Sequence, residues 1–313
     1  MNPPVTFTIR VATRTSPLAL RQTEVVLQAL QAAWHNLTFS THNFVTVGDQ
    51  QLKTPLASMG GKGVFTQELE AALLSNHVDI AVHSLKDLPT RLPDGLTIGA
   101  ILPRGSVLDA LLAIEPHTLH TLPRNAIVGS SSPRRRAQLL AVRPDLRVTN
   151  VRGNVGTRIA KLEAGEYDAL VLAMAGLERL GHSQYITEML SLATMLPAPG
   201  QGALAVECRA NDAQILRLLS AIHDRSTAQA VQAERAFLSG LGGGCAVPVA
   251  AYCAVKGDGL LHLTGLVSNA DGQIRVRVEG IGQDAPELGR RLALQALSMG
   301  GGRMIGEKPP ESG

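Results

Sequence analysis

The chain has 313 residues, of which 45% are hydrophobic, 18% are charged and only 3% are aromatic, and its formal net charge is +3. This length predicts two or three globular domains, because a single hydrophobic core rarely serves so long a chain. The scarcity of aromatic side chains argues against a surface that stacks the bases of single-stranded nucleic acid.

The cysteines and the apolar runs indicate the compartment. Cys208, Cys245 and Cys253 have neither metal-ligand spacing nor the pattern of a disulfide framework, which is typical of proteins in a reducing environment. The N-terminus does not resemble a secretion signal, and no apolar run approaches the roughly 18 residues that span a bilayer. We therefore expect a cytoplasmic protein without a metal site or a membrane partner.

In the first 100 residues, strand-like and helical stretches alternate, which predicts an α/β fold. The predicted strands are residues 5–13, 37–47 and 78–84, and the predicted helices are residues 16–34 and 64–76. Ser16 followed by Pro17 is a typical helix start. Residues 48–63 are polar and rich in glycine, so we expect a moving lid or a disordered segment there.

The same alternation continues from residue 126. The predicted strands are residues 126–130, 146–151 and 203–209, and residues 168–181 are predicted to begin with a buried strand. The predicted helices include residues 132–142 and a segment that ends at Gly165. Residues 196–202 are rich in proline and glycine and predict a hinge. Beyond about residue 225 a helix, three strands and a closing helix (285–299) predict a small α+β domain with a disordered tail after residue 300.

Positive charge is concentrated between Arg124 and Arg158. This window contains eight arginines, one acidic residue and no lysine, so it carries a charge of +7 and the remainder of the chain carries −4. A guanidinium group binds a carboxylate or a phosphate through two parallel hydrogen bonds, whereas solvated surfaces usually mix arginine with lysine. The window indicates a site for a polyanion.

Four predicted strand-to-helix junctions carry arginine, and ligands of open α/β sheets bind where strands end. The residues are Arg14 with Ser16, Ser132 with Arg134 and Arg135, Arg152 with Arg158, and Arg179. Each arginine alone could equally cap a helix or form a surface ion pair. Nucleic acid is disfavoured by the low net charge, and a P-loop is excluded because the GxxxxGK[ST] spacing is absent. Polycarboxylates remain as the favoured ligand.

Two further residues are candidates for chemistry. Asp87 follows a predicted strand directly, next to Lys86, where a carboxylate could hold N–H donors or stabilise a developing cation, although it could also simply begin a turn before Pro89. Cys245 lies on a tight loop between three glycines and Pro248, where a presented thiol and an inert buried cysteine are both possible. His83 is better explained by a structural role.

Several segments together resemble the porphobilinogen deaminase family. They are RVATRTSPLAL, GGKGVFTQELE, DIAVHSLKDLPT, GSSSPRRRAQL, VRGNVGTRIAKLEAGEYDALVLAMAGLERLG, LPAPGQGALAVECR and GGGCAVPV, which occur in the order of that family between residue 10 and about residue 250. The resemblance implies a transferase of tetrapyrrole biosynthesis, hydroxymethylbilane synthase, that joins four porphobilinogen units head to tail with loss of ammonia. It also implies a dipyrromethane cofactor bound through a thioether to Cys245, and Asp87 as the catalytic carboxylate.

The resemblance assigns the remaining motif residues to the carboxylates of cofactor and substrate, because every porphobilinogen ring carries an acetate and a propionate. These residues are Arg14, Ser16, Lys62, Lys86, Ser132, Arg134, Arg135, Arg152, Arg158, Arg179 and Gln201. The implied fold has two lobes like those of periplasmic binding proteins across a hinge, residues 1–102 with 203–220 and residues 108–196. A small α+β domain, residues 225–313, carries Cys245, and the family implies a monomer.

Two points remain open at the level of sequence. A two-lobed polycarboxylate-binding protein without catalytic activity is the alternative function, since a fold does not determine function. The chain also departs from the family pattern at Ser58, Pro133, Gly242 and Ala246, and we expect the additional glycine to loosen the Cys245 loop.

Overall fold

The computed structural model describes residues 7–50, 64–242, 247–257 and 259–305. The chain forms two compact units, each built from two segments of sequence. Unit 1 comprises Met1–Gly105 and Ala203–Ala228, and unit 2 comprises Ser106–Gly202 and Gln229–Gly313.

Strands and helices alternate in both units, so the predicted α/β class is confirmed. The strands are β1 (Phe7–Arg14), β2 (Leu37–Phe44), β3 (Ile80–Ser84), β4 (Leu96–Ile101), β5 (Asp109–Leu112), β6 (Ile127–Gly129), β7 (Arg147–Thr149), β8 (Ala169–Ala173), β9 (Ile186–Leu190), β10 (Leu204–Arg209), β11 (Val249–Val255), β12 (Leu261–Ser268) and β13 (Arg275–Gly282). The α-helices are α1 (Pro17–Ala33), α2 (Val47–Gln50), α3 (Gln67–Leu74), α4 (Pro133–Val142), α5 (Val155–Glu163), α6 (Met174–Leu180), α7 (Ala213–Ser220), α8 (Arg225–Gly240), α9 (Ala285–Ala296) and α10 (Gly302–Ile305). Short 3-10 turns span Leu85–Asp87 and Ser183–Tyr185, and a π-helical turn spans Leu297–Gly301.

Unit 1 is built on a five-stranded sheet in the order β2-β1-β3-β10-β4. β1 pairs in parallel with β2 and β3, while β10 runs antiparallel to β3 and β4. Apolar side chains of α1 and α7 cover one face, and those of α3 cover the other. Residues 203–209 therefore return to the first sheet, as the family resemblance implies.

Unit 2 contains a second five-stranded sheet, in the order β7-β6-β8-β5-β9. The inner strands are buried on both faces, so β5 and β8 have nearly continuous apolar sequences, as expected for covered sheets. Helix α4 packs on one face of the sheet, and α5 and α6 pack on the other.

The C-terminal part of unit 2 is the predicted small α+β arrangement. An antiparallel sheet in the order β11-β12-β13 shares a hydrophobic core with α8 and α9. Phe237 of α8 is fully buried at its centre. Gly265 in β12 makes this packing possible, because a Cβ atom there would lie 2.4 Å from the Phe237 ring.

The structure corrects several boundaries. The strand expected at residues 37–47 ends at Phe44, and residues 47–50 form helix α2. The tail expected to be disordered from residue 300 is helical over Gly302–Ile305, where Met304 is buried. β4, β5, β9 and α7 were not predicted, since short elements carry too little periodicity to be read from sequence.

Candidate functional site

Asp87 lies on the turn that directly follows β3. The 3-10 turn Leu85–Asp87 is closed by a hydrogen bond from the Leu88 N–H to the Leu85 carbonyl, with an N···O distance of 3.1 Å. Leu85 and Leu88 are buried, whereas Asp87 is exposed and Lys86 is half-buried. Two buried leucines thus hold the backbone on either side of an exposed carboxylate.

The end of β3 is held from two directions. The Leu85 N–H donates to the Ala203 carbonyl at 3.0 Å, and Nε2 of Gln22 donates to Oγ of Ser84 at 2.8 Å. Gln22 is buried on α1, and the sequence analysis did not single it out. In the sequence, the only indication of Gln22 was a polar residue at a helix position where the periodicity of about 3.6 residues predicts an apolar side chain.

Arg14, the last residue of β1, already has an internal partner in this structure. Its guanidinium binds the Asp49 carboxylate, with Nε 3.1 Å from Oδ2, and its Cζ lies 4.4 Å from the centre of the Phe65 ring. Burial alone would raise the pKa of Asp49, but hydrogen bonds from Arg14 and Thr46 lower it. Ser16 caps α1 as predicted and accepts a hydrogen bond from the Ala19 N–H at 3.3 Å.

The Ser-Pro start predicted for the helix at residue 132 is also confirmed. Ser132 caps α4 and accepts from the Arg135 N–H at 3.4 Å, and Pro133 occupies the first turn. A proline there costs no hydrogen bond, because the first N–H groups of a helix have no intrahelical partner. Arg134 and Arg135 follow immediately, and both side chains are buried.

Arg134 and Arg135 converge on one carboxylate, that of Asp109 in β5, which is fully buried. Nη2 and Nε of Arg135 lie 2.7 and 3.0 Å from Oδ1 of Asp109, and Nη1 of Arg134 lies 2.7 Å from Oδ2. Gln201 joins this cluster, since its Nε2 donates to Oδ1 of Asp109 at 3.1 Å and to the Val107 carbonyl at 2.8 Å. We call Asp109, Arg134, Arg135 and Gln201 the arginine cluster.

The arginine cluster carries excess positive charge, because two guanidinium groups face one carboxylate. Burial alone would raise the pKa of Asp109, but the charges of Arg134 and Arg135 hold it far below its usual range. Burial lowers the pKa of Arg134, and the Asp109 charge offsets part of that effect. Among the described residues, Nε of Arg134 is buried without a hydrogen-bond partner.

Arg152 lies on the turn between β7 and α5, and Arg158 lies in the first turns of α5. Nε of Arg158 donates to the Gly153 carbonyl at 2.8 Å, and Gly153 has a φ of +109°, which favours glycine. Asn154 caps α5 by accepting from the Thr157 N–H at 2.9 Å. Burial lowers the pKa of the half-buried Arg152.

Arg179 lies in the last turn of α6, so its predicted position at a strand-to-helix junction is wrong. The LERLG segment that contains Arg179 is helical up to Leu180, and Gly181 in the left-handed conformation ends the helix. Nη2 of Arg179 donates to the Gly202 carbonyl at 2.8 Å, and burial lowers the pKa of Arg179.

The expected site residues are thus distributed over both units. Unit 1 carries Arg14, Ser16, Lys86 and Asp87, and unit 2 carries Ser132, Arg134, Arg135, Arg152, Arg158, Arg179 and Gln201. Cys245, Lys62, Ser58 and Ala246 lie outside the described residues. The sequence analysis missed Asp109, which contacts Arg134, Arg135 and Gln201. In the sequence, the only indication of Asp109 was an acidic residue at the start of the apolar run DALL.

Within residues 7–50, 64–242, 247–257 and 259–305, no group of three or more His, Cys, Asp or Glu side chains is arranged to hold a metal ion. In the same ranges, no helix has the length and apolar character needed to cross a membrane.

Among solved structures, the chain is similar to the VFT2 domain of BvgS from Bordetella pertussis. It is 17% identical to this chain, with a TM-score of 0.43, and the match covers 73% of this chain and 91% of that domain.

The comparisons of sequence are far closer. A family model described as "Porphobilinogen deaminase, dipyromethane cofactor binding domain" matches residues 9–217, and "Porphobilinogen deaminase, C-terminal domain" matches residues 228–298. Porphobilinogen deaminase from Moorella thermoacetica is 48% identical, covering 97% of this chain and 98% of that protein. The Bacillus pumilus protein of the same name is 46% identical, with coverage of 95% and 96%. This chain therefore belongs to the porphobilinogen deaminase family.

Proposed function

We propose that this chain is a hydroxymethylbilane synthase that uses Asp87 as its catalytic carboxylate and Cys245 as the attachment point of its cofactor. The enzyme joins four porphobilinogen units head to tail, releases one ammonia per unit, and hydrolyses the linear product from the primer. The observation that carries this function is the match of residues 9–217 to the dipyrromethane cofactor binding domain. The match favours an enzyme over the alternative, a polycarboxylate-binding protein without catalysis.

The donor groups of unit 2 suit a cofactor rich in carboxylates. The arginine cluster has two guanidinium groups for one internal carboxylate, and Nε of Arg134 is a buried donor without a partner in the described part of the chain. Burial lowers the pKa of Arg152 and Arg179, and a bound carboxylate would offset that cost of burying positive charge. Arg134, Arg135, Arg152, Arg158 and Arg179, with Ser132 and Gln201, would hold the acetate and propionate groups.

Asp87 would act on charge that develops during the reaction. Its exposed carboxylate can accept hydrogen bonds from pyrrole N–H groups, and it would stabilise the positive charge that forms on a substrate ring as ammonia leaves. The buried leucines and the hydrogen bond closing the turn hold the backbone around this carboxylate before substrate arrives. Arg14, Ser16, Lys62 and Lys86 would bind substrate carboxylates.

Cys245 would supply the thioether that tethers the cofactor. When bound to Cys245, the dipyrromethane would supply a nucleophilic pyrrole carbon for coupling to the first substrate unit. Gly242, three positions before Cys245, has a φ of +90°, which favours glycine. Because the cysteine is an anchor in this scheme, it is not consumed at each turnover.

The proposal includes an organisation into three domains: residues 1–102 with 203–220, residues 108–196, and residues 225–313 with Cys245. It is supported by the three separate sheets and by the start of the second family match at residue 228. The family resemblance also supports a cytoplasmic monomer that acts on porphobilinogen without nucleic acid or membrane partners.

Intact-protein mass spectrometry tests the attachment. We expect the purified chain to carry the added mass of two pyrrole units, Cys245→Ser to lack it, and the control Cys253→Ala to retain it. Cys253 is the matched control because it is a buried cysteine in β11. If the parent chain bears no pyrrole on Cys245 even after incubation with porphobilinogen, the proposed attachment is wrong.

Steady-state kinetics test the role of Asp87. Asp87→Asn should retain the pyrrole adduct but lose roughly 100-fold or more in kcat, because an amide cannot balance a developing cation. Asp94→Asn, a change of the same kind at another acidic residue of unit 1, is the control and should retain the parent rate. A fully active Asp87→Asn variant would refute the assignment.

A further inference from the structure

Unit 1 buries a group of three neighbouring titratable side chains that the proposed mechanism does not use. His83, Glu207 and Glu70 are 5%, 0% and 6% exposed. Ala81 packs under α3, whereas Val82 and Val206 belong to the core on the opposite face of the sheet. Because side chains alternate along a strand, His83 of β3 and Glu207 of β10 also lie on the α3 face, which carries Glu70. We call these three residues the acidic cluster.

His83 and Glu207 are in direct contact. Nε2 of His83 lies 3.1 Å from Oε2 of Glu207, and both side chains are almost inaccessible to water. In the described part of the chain, neither Nε2 of His83 nor either oxygen of Glu207 has a well-aligned hydrogen bond. A buried nitrogen lone pair facing a buried carboxylate oxygen at this distance would be strongly unfavourable, so one proton must lie between them.

Glu70 completes the cluster as an acid whose pKa is raised. Burial raises the pKa of Glu70, and the charges of Glu207 and Glu68 raise it further, while Thr66 and His83 lower it. Glu70 and Glu68 belong to α3, His83 to β3 and Glu207 to β10. The raised pKa favours the neutral form of Glu70, which places no additional negative charge in the cluster.

The His83–Glu207 contact lies where β3 ends. His83 pairs with Ala205 and Ser84 with Leu204, and the next residue, Leu85, donates to the Ala203 carbonyl. The contact therefore joins the two strands within one residue of the turn that carries Asp87. Replacing a buried polar pair by well-packed apolar residues often leaves a protein equally stable or more stable. The presence of a polar pair here therefore calls for an explanation other than stability.

We propose that His83 and Glu207 are positioning residues for the reaction: their shared proton fixes the last residues of β3 and so the placement of Asp87. This inference rests on the proposed function of Asp87. Neither side chain touches substrate in this scheme. They act by holding the strand end against β10 on the α3 face, while Gln22 holds Ser84.

The proposal predicts which kinetic constant changes. Asp87 stabilises charge that exists only during the reaction, and small displacements of such a group lower the rate strongly. Arg14 and Ser16, which are assigned to substrate carboxylates, lie at the end of β1 and the start of α1, whereas Lys86 lies on the same turn as Asp87. Loss of the contact should therefore lower kcat by a much larger factor than it changes KM for porphobilinogen.

The test begins with Glu207→Gln in the full chain carrying its cofactor. We expect kcat to fall at least tenfold, KM to change less than twofold, and the pyrrole adduct to remain by mass spectrometry. The double variant with His83→Gln and Glu207→Gln can restore an N–H···O contact between two amides, so we expect it to regain at least threefold in kcat over Glu207→Gln.

Cys208→Ala is the matched control. Cys208 is the next residue of β10, is fully buried, and packs on the opposite face of the sheet. It should lower the unfolding midpoint without changing kcat below that midpoint. If Glu207→Gln behaves like Cys208→Ala, or if the double variant is no more active than the single one, the positioning role is wrong.

Measurements on the same variants also cover two further outcomes. If Glu207→Gln does not fold, His83→Gln replaces it as the single variant, with the same expected loss in kcat and the same criterion for rejection. If the parent chain itself forms no hydroxymethylbilane, the proposed function fails and this inference falls with it. If the parent chain and Glu207→Gln are equally active, the positioning role is wrong, whereas the proposed function still stands.

Discussion

Each unit buries one cluster of charged side chains next to residues assigned to the reaction, but the two clusters have opposite balances of charge. In unit 2, two arginines face the single carboxylate of Asp109. In unit 1, the carboxylate of Glu207 faces the imidazole of His83, and burial together with the charge of Glu207 raises the pKa of the nearby Glu70. A buried carboxylate next to guanidinium groups stays ionised, because those groups do not lose their protons in proteins.

The comparison shows that burial alone does not decide the charge of a carboxyl group. Burial raises the pKa of both Asp109 and Glu70, yet the net shift is downward for Asp109 and upward for Glu70. The difference comes from the partner, two guanidiniums in one case and a second carboxylate in the other. Three substitutions can test this contrast.

The largest effect is expected for Asp109→Asn. It leaves two guanidinium groups buried without a carboxylate, so we expect the free energy of unfolding to fall by about 3–5 kcal/mol. Urea denaturation measures this loss. Glu287→Gln is the control, because it removes an exposed ion pair with Arg291 and should cost about 0.5 kcal/mol or less.

The pH dependence of Asp109→Asn follows from the lowered pKa of Asp109. A carboxyl group whose folded pKa is depressed contributes stability above its unfolded pKa of about 3.9, and that contribution disappears as the pH falls toward the folded value. The difference between parent and variant should therefore be constant from about pH 5 upward and shrink below pH 4. A difference that grows on acidification would contradict this explanation.

An intermediate effect is expected for Asp79→Asn in unit 1. Asp79 also has two arginine partners, with Oδ1 2.6 Å from Nη2 of Arg10 and 3.1 Å from Nη2 of Arg209, but the Arg10 side chain is 38% exposed. Water screens this site, so we expect a loss of about 1–2 kcal/mol. In contrast to Asp109→Asn, the loss should decrease in 1 M NaCl, and equal salt dependence of the two variants would count against the role of burial.

The smallest effect, with the opposite sign, is expected for Glu70→Gln. Because the folded pKa of Glu70 is raised, its contribution to stability is fully present below the unfolded pKa of about 4.3 and is lost as the pH rises through the folded value. Glutamine mimics the protonated acid and does not ionise. The variant should therefore gain on the order of 1 kcal/mol relative to the parent between pH 4 and pH 7.

Unfolding midpoints measured over that pH range check the Glu70 prediction. Glu24→Gln, on the exposed side of α1, controls for the loss of one carboxylate charge. A stability difference between Glu70→Gln and the parent that does not rise with pH would show that Glu70 is ionised in the folded protein.

The fold and the site differ in how far the sequence predicted them. Alternating strands and helices, the Ser-Pro starts of α1 and α4 and the return of residues 203–209 to the first sheet were all predicted and confirmed. The family was predicted from its motifs, which the comparisons support over nearly the whole chain. The predicted roles of Asp87, Cys245 and the arginines stay predictions.

The sequence by itself determined where helices α1 and α4 begin, which family the chain belongs to and where positive charge is concentrated, because these properties depend on neighbouring residues and on motifs. Only the tertiary structure decided that Asp109 joins Arg134, Arg135 and Gln201, and that His83 meets Glu207. Glu207 is 124 positions from His83 and Gln201 is 92 positions from Asp109. The burial and partners that set the charge of these groups come from strand pairing across that distance, which local sequence does not encode.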